Sequence, residues 1–244
     1  MITIKKKSEI MKKNLLIFMT SLLFAIKAFA GVSVSPVQLF IDNPNKLKST
    51  TLTLESVDET EKRVFEVKVF KWTQTEQGEN VLEPDNNIII NPKNFILQPN
   101  KKQAIRVGFT PSVAQGLNTA EEQAWRIIID EITPVGNQMM VKFLVNFNLP
   151  LFVGKQDNLK VNFEVKNGHL ILNNLANSHV QVTNLKLLDE QRKVIFSNDT
   201  MAYVLAKHKI FYDLKNINLT DPKKYSVVLE TNNSKKAVEM KLFN

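Results

Sequence analysis

The stretch QMMVKFLVNFNLPLFV, residues 138–153, indicates the fold class of this chain. Every odd-numbered position in it is apolar, whereas the even positions include polar residues such as Lys142 and Asn146. Side chains on a strand alternate between two faces, so the stretch predicts one long β-strand with a continuous apolar face. Proline cannot donate a hydrogen bond to a neighbouring strand, so Pro150 favours an edge position. An apolar edge strand of this length is open to pairing with another chain unless its own chain covers it.

The β pattern continues on both sides of this stretch, and Pro36 indicates either an edge strand or a switch between sheets. Residues 121–130 also have helical propensity, but the run WRIII is rich in β-formers and favours a strand. A polar, glycine-led segment at 154–158 is typical of a linker. We therefore predict an all-β chain of two tandem immunoglobulin-like β-sandwich domains with about seven strands each and no helix of useful length. The predicted domains cover residues 31–154 and 155–244.

The first 30 residues have the pattern of a cleaved signal peptide. A lysine-rich start precedes an apolar run at 15–26, and the small-x-small motif AFA ends at Ala30. Met1 and Met11 are both possible starts, because a complete signal follows each of them. The apolar run is too short to span a bilayer comfortably and no second run follows it, so we expect export to the periplasm, cleavage after Ala30 and no membrane insertion.

Charge and cysteine content narrow the classes of partner and chemistry. Six of the 32 basic residues and one of the 24 acidic residues lie in the first 30, so the remainder carries a net charge of only +3. No stripe of basic residues with interleaved aromatics is present, which argues against nucleic-acid binding. The chain has no cysteine. Disulfides, thiolate metal sites and cysteine nucleophiles are therefore excluded.

The motifs that carry catalytic chemistry are missing from the sequence. His169, His179 and His208 lack metal-ligand spacing, and a lone histidine in a β-domain is more often structural. Phosphate-binding loops and the GxSxG elbow do not occur. Asp130 and Glu131 are adjacent, so their side chains point to opposite faces of a strand and cannot act as a pair. We expect no enzymatic activity, no metal and no cofactor.

In six stretches the chain resembles the periplasmic pilus-assembly chaperones of the PapD-like superfamily. The resemblance covers nearly all of residues 31–244, and its order and spacing are more specific than any single motif. The stretches are GVSVSPVQLFID (31–42), INPKNFILQPNKKQAIRVGF (90–109), EEQAWRIIIDEITP (121–134), VKFLVNFNLPLFV (141–153), GHLILNNLANSHVQVTNLKLLD (168–189) and YVLAKHKIFYDL (203–214).

The resemblance implies a function as well as a fold. Chaperones of this superfamily lend a strand to incomplete pilus or fimbrial subunits, a form of β-augmentation, and deliver them to an outer-membrane usher. By this resemblance the subunit-binding donor residues are Val141, Phe143 and Val145, with Met139 as a fourth. The rest of the stretch, 147–153, is expected to belong to the core of the first domain.

Two positions depart from the superfamily pattern. Gln38 and Pro150 stand where many members carry an arginine and a lysine that hold the C-terminal carboxylate of the subunit, which points to the divergent archaic (alternate) branch. Arg126, expected near Asn148 on the neighbouring strand, is the first replacement candidate and Arg106 the second, because a guanidinium binds a carboxylate with two hydrogen bonds. Alternatively, both arginines belong to structural ion pairs.

Two other functions remain open at this point. The chain could be an exported immunoglobulin-like adhesin or a structural pilus subunit, although a subunit would usually begin with a free donor extension. A glycan-active β-sandwich enzyme is the third reading, and no acid–base pair supports it. The sequence does not identify the pilus system, the subunit, the usher or the oligomeric state.

Overall fold

The computed structural model describes residues 31–118, 120–133, 143–215, 217, 219–232 and 236–242. The predicted signal peptide, 1–30, therefore lies outside the described residues, as do donor positions Met139 and Val141. Within the described ranges the chain forms eighteen strands in four sheets, with one short α-helix and one 3₁₀ helix. The all-β prediction is confirmed.

The first sandwich contains two sheets. In the described residues its strands are β1 (Gly31–Ser35), β2 (Leu39–Ile41), β3 (Ser49–Val57), β4 (Arg63–Gln74), β5 (Asn80–Pro84), β6 (Ile88–Asn91), β7 (Asn94–Leu97), β8 (Lys102–Phe109), β9 (Gln123–Ile132) and β10 (Asn146–Val153). One sheet has the order β1-β3-β8-β6. The other has the order β2-β10-β9-β4-β5, with β7 also paired to β4. Helix α1 (Pro111–Gly116), capped by the Thr110 side chain, connects β8 to β9.

Pro36 marks a switch between the two sheets, which confirms one of the two alternatives predicted for it. Before the proline, β1 pairs antiparallel with β3, and after it β2 pairs parallel with β10. The run WRIII lies in β9, so the strand prediction for it is also confirmed.

Alternating side chains of the two sheets meet in a common core. In β4, Phe65, Val67 and Val69 point inward, as their period-two spacing predicts. Trp125 closes one end of this core, and its indole nitrogen donates to Asp85 at 2.8 Å.

The second sandwich also contains two sheets. In the described residues its strands are β11 (Val161–Lys166), β12 (His169–Asn174), β13 (Val180–Leu188), β14 (Val194–Asn198), β15 (Ala202–Val204), β16 (Lys209–Asp213), β17 (Ser226–Thr231) and β18 (Val238–Lys241), and the 3₁₀ helix is Pro222–Lys224. The sheet orders are β11-β12-β16 and β14-β13-β17-β18, with β15 also paired to β13. A separate hydrophobic core fills this sandwich.

Ten described strands in the first sandwich exceed the seven that the pattern predicts. Pro36 divides one predicted strand into β1 and β2. Strand β5 is short and mostly exposed, so its residues lack the apolar alternation by which a strand is recognised.

The long strand predicted for 138–153 is shorter than expected within the described residues. Strand β10 begins at Asn146, and residues 143–145 precede it without strand pairing. Strand β9 continues to Ile132, but the regular ladder stops at Asp130 opposite Asn146, because the Val145 backbone nitrogen donates to the Glu131 side chain and not to a backbone carbonyl. Apolar alternation therefore located the face of the strand correctly but not its beginning.

Candidate functional site

Strand β10 has an open edge along its first five residues. On one side, residues 146–153 pair antiparallel with β9. On the other side, β2 pairs only with Leu151, Phe152 and Val153. No strand in the described part of the chain covers that side of residues 146–150. The edge position predicted from Pro150 is thus correct for the first part of β10 and wrong for its end, which lies inside the sheet.

Apolar side chains stand exposed immediately before this open edge. Phe143 is 87% exposed and Leu144 is 48% exposed, while Val145 is half-buried. In the same stretch Leu149 and Leu151 are buried in the core of the first sandwich, and Phe147 packs against that core. The structure thus confirms that the end of the stretch belongs to the fold, and it leaves Phe143 available to a partner.

Arg126 lies further along the β9–β10 pair, in the region where Trp72 of the first sandwich meets Tyr203 of the second, here termed the cleft. The register places it directly opposite Pro150, so Asn148, the predicted neighbour, lies diagonally from it, two residues along β10. Directly paired residues share one face of a sheet. The guanidinium of Arg126 therefore lies beside the position where the superfamily pattern has a lysine.

Aromatic rings of both sandwiches surround the Arg126 guanidinium. Its central carbon is 3.7 Å from the ring centre of Trp72 and 5.3 Å from that of Tyr203. Within the described residues, no acidic side chain pairs with Arg126. Burial lowers the pKa of Arg126 from its ordinary value, and the charge of Tyr203 acts in the opposite direction. The group still stays protonated at neutral pH, so the cleft holds a partly desolvated cation that has no counterion among the described residues.

Gln38, the second departure from the superfamily pattern, lies in the same cleft. Its side-chain nitrogen donates to the Gln181 side-chain oxygen at 2.7 Å and to the Tyr203 hydroxyl at 2.8 Å. A glutamine at this position therefore connects the first sandwich to β13 and β15 of the second. An arginine here would add a second cation, whereas the glutamine adds only polar contacts.

Buried contacts join the two sandwiches behind the cleft. Phe152 of β10 stacks on the His179 ring with 3.5 Å between centroids. Glu122 accepts hydrogen bonds from the His179 backbone nitrogen at 2.8 Å and lies 2.7 Å from its Nδ1. Gln74 donates to the Tyr203 carbonyl and accepts from the Leu205 backbone nitrogen. His179 is thus a structural residue, as predicted, although the sequence did not indicate its complete burial.

Arg106, the second anchor candidate, lies away from this cleft. It is exposed on β8, in the four-stranded sheet, and its Nε donates to the Ser49 hydroxyl at 2.8 Å. Its neighbours Ile105 and Val107 point into the core, so the Arg106 side chain points away from it. The two arginines lie in different sheets of the first sandwich, Arg106 in the four-stranded sheet and Arg126 in the other. The two arginines are therefore not placed to hold one carboxylate together.

Sequence reasoning did not identify Trp72 and Tyr203 as neighbours of Arg126. Trp72 belongs to an ordinary apolar strand, and Tyr203 is 77 residues beyond Arg126 in the second sandwich. No local pattern could have related them, because only the packing of the two sandwiches brings the rings together.

The described ranges contain no group of three or more histidine, cysteine, aspartate or glutamate residues arranged to hold a metal ion. In the same ranges, no helix has the length and hydrophobicity that a bilayer crossing requires.

The sequence profile of one protein family matches residues 31–154. That family is described as "Pili and flagellar-assembly chaperone, PapD N-terminal domain". The matched residues comprise the whole first sandwich, including β10 and Arg126. Among curated proteins, no relative matches the sequence.

Several solved structures share the fold at low sequence identity. A chain of the CsuC–CsuE chaperone–tip adhesion subunit pre-assembly complex, from the archaic chaperone-usher Csu pili of Acinetobacter baumannii, is 16% identical with a TM-score of 0.67. The match covers 87% of this chain and 98% of that chain. The CupB2 chaperone of Pseudomonas aeruginosa is 15% identical, with a TM-score of 0.61 over 86% of this chain and 100% of that chain.

A third structure is the SafA pilin of Salmonella enterica in complex with the SafB chaperone. The matching chain of this complex is 11% identical, with a TM-score of 0.58 over 89% of this chain and 99% of that chain. These likenesses establish the two-sandwich fold. The family and its fold neighbours are assembly chaperones and not enzymes, which confirms the prediction that the chain is not an enzyme.

Proposed function

Because this chain belongs to the PapD-like family of pilus- and flagellar-assembly chaperones, we propose that it stabilises pilus or fimbrial subunits by donor-strand complementation. The family resemblance stated from the sequence is thereby confirmed. One observation carries the proposal: β10 has an open edge at 146–150, and the 87% exposed aromatic side chain of Phe143 lies three residues before it.

An open edge and exposed apolar side chains suit an incomplete sandwich as the partner. A subunit that lacks a strand has unpaired backbone groups and an uncovered core, both of which cost free energy in water. The backbone of the donor stretch pairs with the unpaired backbone groups of the subunit, and alternate side chains of the stretch fill its uncovered core. We assign Phe143 and Val145 to this role, together with Met139 and Val141.

Arg126 is our proposed anchor for the C-terminal carboxylate of the subunit. It is a half-buried cation that faces a cleft and has no acidic partner in the described residues. A carboxylate would supply the missing counterion through a bidentate hydrogen bond. The aromatic rings of Trp72 and Tyr203 hold the guanidinium plane in place for such a contact. Arg106 remains the second candidate, with less support because it is exposed and far from the cleft lining.

The cellular setting of this activity is also a proposal. We place the mature chain in the periplasm after cleavage behind Ala30, and we propose an outer-membrane usher as the acceptor of the loaded subunit. The two working domains are then 31–154 and 155–244. The absence of cations at Gln38 and Pro150 supports the archaic branch, to which the Csu pili of one similar structure also belong.

Substitution of Phe143 tests the proposed function. The chain is co-produced with a pilin-like subunit, and the soluble complex is quantified by affinity capture and gel filtration. Wild type is expected to give a 1:1 complex, and Phe143→Glu is expected to lower its affinity more than about a hundredfold, because a carboxylate enters an apolar groove. Thermal stability of the free variant should not change, since Phe143 is exposed.

Ile89→Glu is the matched control for this experiment. Ile89 is a 52% exposed apolar residue of the four-stranded sheet, away from the open edge. The Ile89→Glu variant should capture the subunit as well as wild type does. A subunit that is equally soluble without this chain, or equal loss in both variants, would contradict the proposed function and favour the exported adhesin or pilus-subunit alternative.

Replacement of Arg126 tests the anchor separately. Arg126→Met keeps an unbranched apolar stem over Trp72 but removes the charge, so capture should fall at least about tenfold, the effect of one lost charge-assisted hydrogen bond. Arg106→Met serves as the rival candidate and should capture like wild type. Equal capture by Arg126→Met and wild type would exclude Arg126 as the anchor.

A further inference from the structure

Val145, the residue immediately before β10, binds Glu131 of β9 in an unusual way. The Glu131 backbone nitrogen donates to the Val145 carbonyl at 2.9 Å, as in an ordinary antiparallel ladder. The Val145 backbone nitrogen, however, donates to the side-chain carboxylate of Glu131 at 3.1 Å. A carboxylate acceptor here makes a charge-assisted hydrogen bond, which is stronger than a bond between neutral peptide groups.

Glu131 is itself held by a basic residue at the start of β4. Its side chain is fully buried, and its Oε2 accepts from Arg63 Nη1 at 2.9 Å. Arg63 also contacts Glu59 at 2.7 Å. Burial alone would lower the pKa of Arg63, but the hydrogen bonds and charges of Glu131 and Glu59 raise it above its ordinary value. The charge of Glu131 is thus balanced where water does not screen it.

Asp130, which points to the opposite face of β9 from Glu131, contacts Asn146, the first residue of β10. Its carboxylate accepts from the side-chain nitrogen of Asn146, and Lys68 lies 3.3 Å from it. Adjacent strand residues point to opposite faces, as the sequence predicts for this Asp-Glu pair. The two adjacent carboxylates of β9 therefore contact two adjacent residues, Val145 just before β10 and Asn146 at its start. Each carboxylate also has a basic residue of β4 beside it.

We propose that Asp130 and Glu131 are positioning residues that fix the register of the donor stretch at Val145 and Asn146. Because strand side chains alternate with period two, a slip of one residue would turn Phe143 and Val145 away from a subunit and present Leu144 instead. This inference rests on the proposed function and adds that two carboxylates of β9, one buried and one partly exposed, determine which side chains the subunit receives.

The experiment compares Glu131→Ala with Glu59→Ala. Both remove one carboxylate from Arg63, but only Glu131 contacts Val145. Amide exchange of Val145 is followed in the free chain, with the core residue Leu149 as an internal reference for global opening. Glu131→Ala should accelerate Val145 exchange at least about tenfold relative to Leu149, the effect of one hydrogen bond to a charged group. Glu59→Ala should leave this ratio unchanged.

Glu131→Gln retains an acceptor oxygen without the charge, and it covers the case in which Glu131→Ala fails to fold. Its Val145 exchange should lie between those of wild type and Glu131→Ala. Capture of the co-produced subunit should decrease from wild type to Glu131→Gln to Glu131→Ala, whereas Glu59→Ala should capture the subunit like wild type. A purely structural role of Glu131 predicts instead that Val145 and Leu149 accelerate together.

The positioning role would be overturned if Val145 exchange relative to Leu149 were unchanged in both Glu131 variants. It would also be overturned if Glu59→Ala accelerated Val145 exchange as much as Glu131→Ala. Failure of the wild-type chain to capture any subunit would overturn the proposed function, and the exchange measurement, which needs no subunit, still decides the register. The two failures are therefore distinguishable.

Discussion

Arg63 and Arg126 are half-buried cations near opposite ends of β9, and their surroundings differ in one respect. Arg63 contacts two carboxylates, those of Glu59 and Glu131, which raise its pKa against the effect of burial. Among the described residues, the Arg126 guanidinium contacts aromatic rings and no carboxylate, and burial lowers its pKa. A buried cation with its own carboxylate is part of the fold, whereas one without a carboxylate can still bind an anion from outside.

Removal of Arg63 should have the largest effect on stability. Arg63→Met leaves the fully buried carboxylate of Glu131 without its cation, which costs about 3 kcal/mol in the free energy of unfolding. Urea unfolding followed by tryptophan fluorescence measures this change. Arg192→Met is the control, because the Arg192–Glu239 pair is exposed and should contribute little. Equal small losses in both variants would contradict the assignment of Arg63 to the fold.

Lys71 extends the comparison to a third cation and should show a smaller, pH-dependent effect. Its Nζ lies 3.6 Å from the Trp125 ring centre, and burial lowers its pKa to about 8 although Asp85 opposes the shift. Between that value and the ordinary pKa of about 10.4, the unfolded chain binds a proton that the folded chain does not. Stability should therefore rise with pH across this window, by about 1 kcal/mol once solvent screening is included.

Urea unfolding at pH 7.5 and pH 10 measures this rise, and Lys71→Met should abolish the part that is due to Lys71. The exposed Lys102, which pairs with Glu55 on the surface, provides Lys102→Met as the control with the wild-type pH dependence. An identical slope in wild type and Lys71→Met would show that Lys71 keeps its proton in the fold, held by the cation–π contact.

Arg126 should have the smallest effect on stability of the three cations. Arg126→Met removes an attraction to Trp72 of about 0.5–1 kcal/mol and also the desolvation cost of an unpaired charge, so the two changes offset each other. Its urea midpoint should therefore stay close to that of wild type even where subunit capture is lost. A loss as large as that in Arg63→Met would mean that Arg126 supports the fold and would weaken its assignment as an anchor.

Much of the fold followed from local patterns. The period-two alternation in β4 and β9 reflects burial of one face, so it indicated both the strands and their core residues, whereas the end of β10 is buried on both faces. Pro36 indicated the change of sheet because proline interrupts a ladder. The start of β10 could not be predicted, since it depends on where the Glu131 side chain replaces a backbone acceptor.

The candidate site could be predicted only in part. Phe143 was identified as a donor residue through the resemblance to the superfamily, and the structure adds that its side chain is exposed. Arg126 was placed on the correct strand, but its register with Pro150 depends on pairing between distant residues. Its aromatic neighbours come from two sandwiches, and no spacing in the sequence relates them.

The sequence by itself determined the all-β class, the core-facing residues of β10 and the lack of catalytic motifs, because burial of a strand face leaves a local, periodic record in the chain. Only the tertiary structure decided which cations are paired and which edge is open. Those properties depend on distances between strands far apart in sequence. Among the described residues, a carboxylate reaches Arg63 and none reaches Arg126 because of how β4, β9 and the second sandwich pack, and no local pattern carries that information.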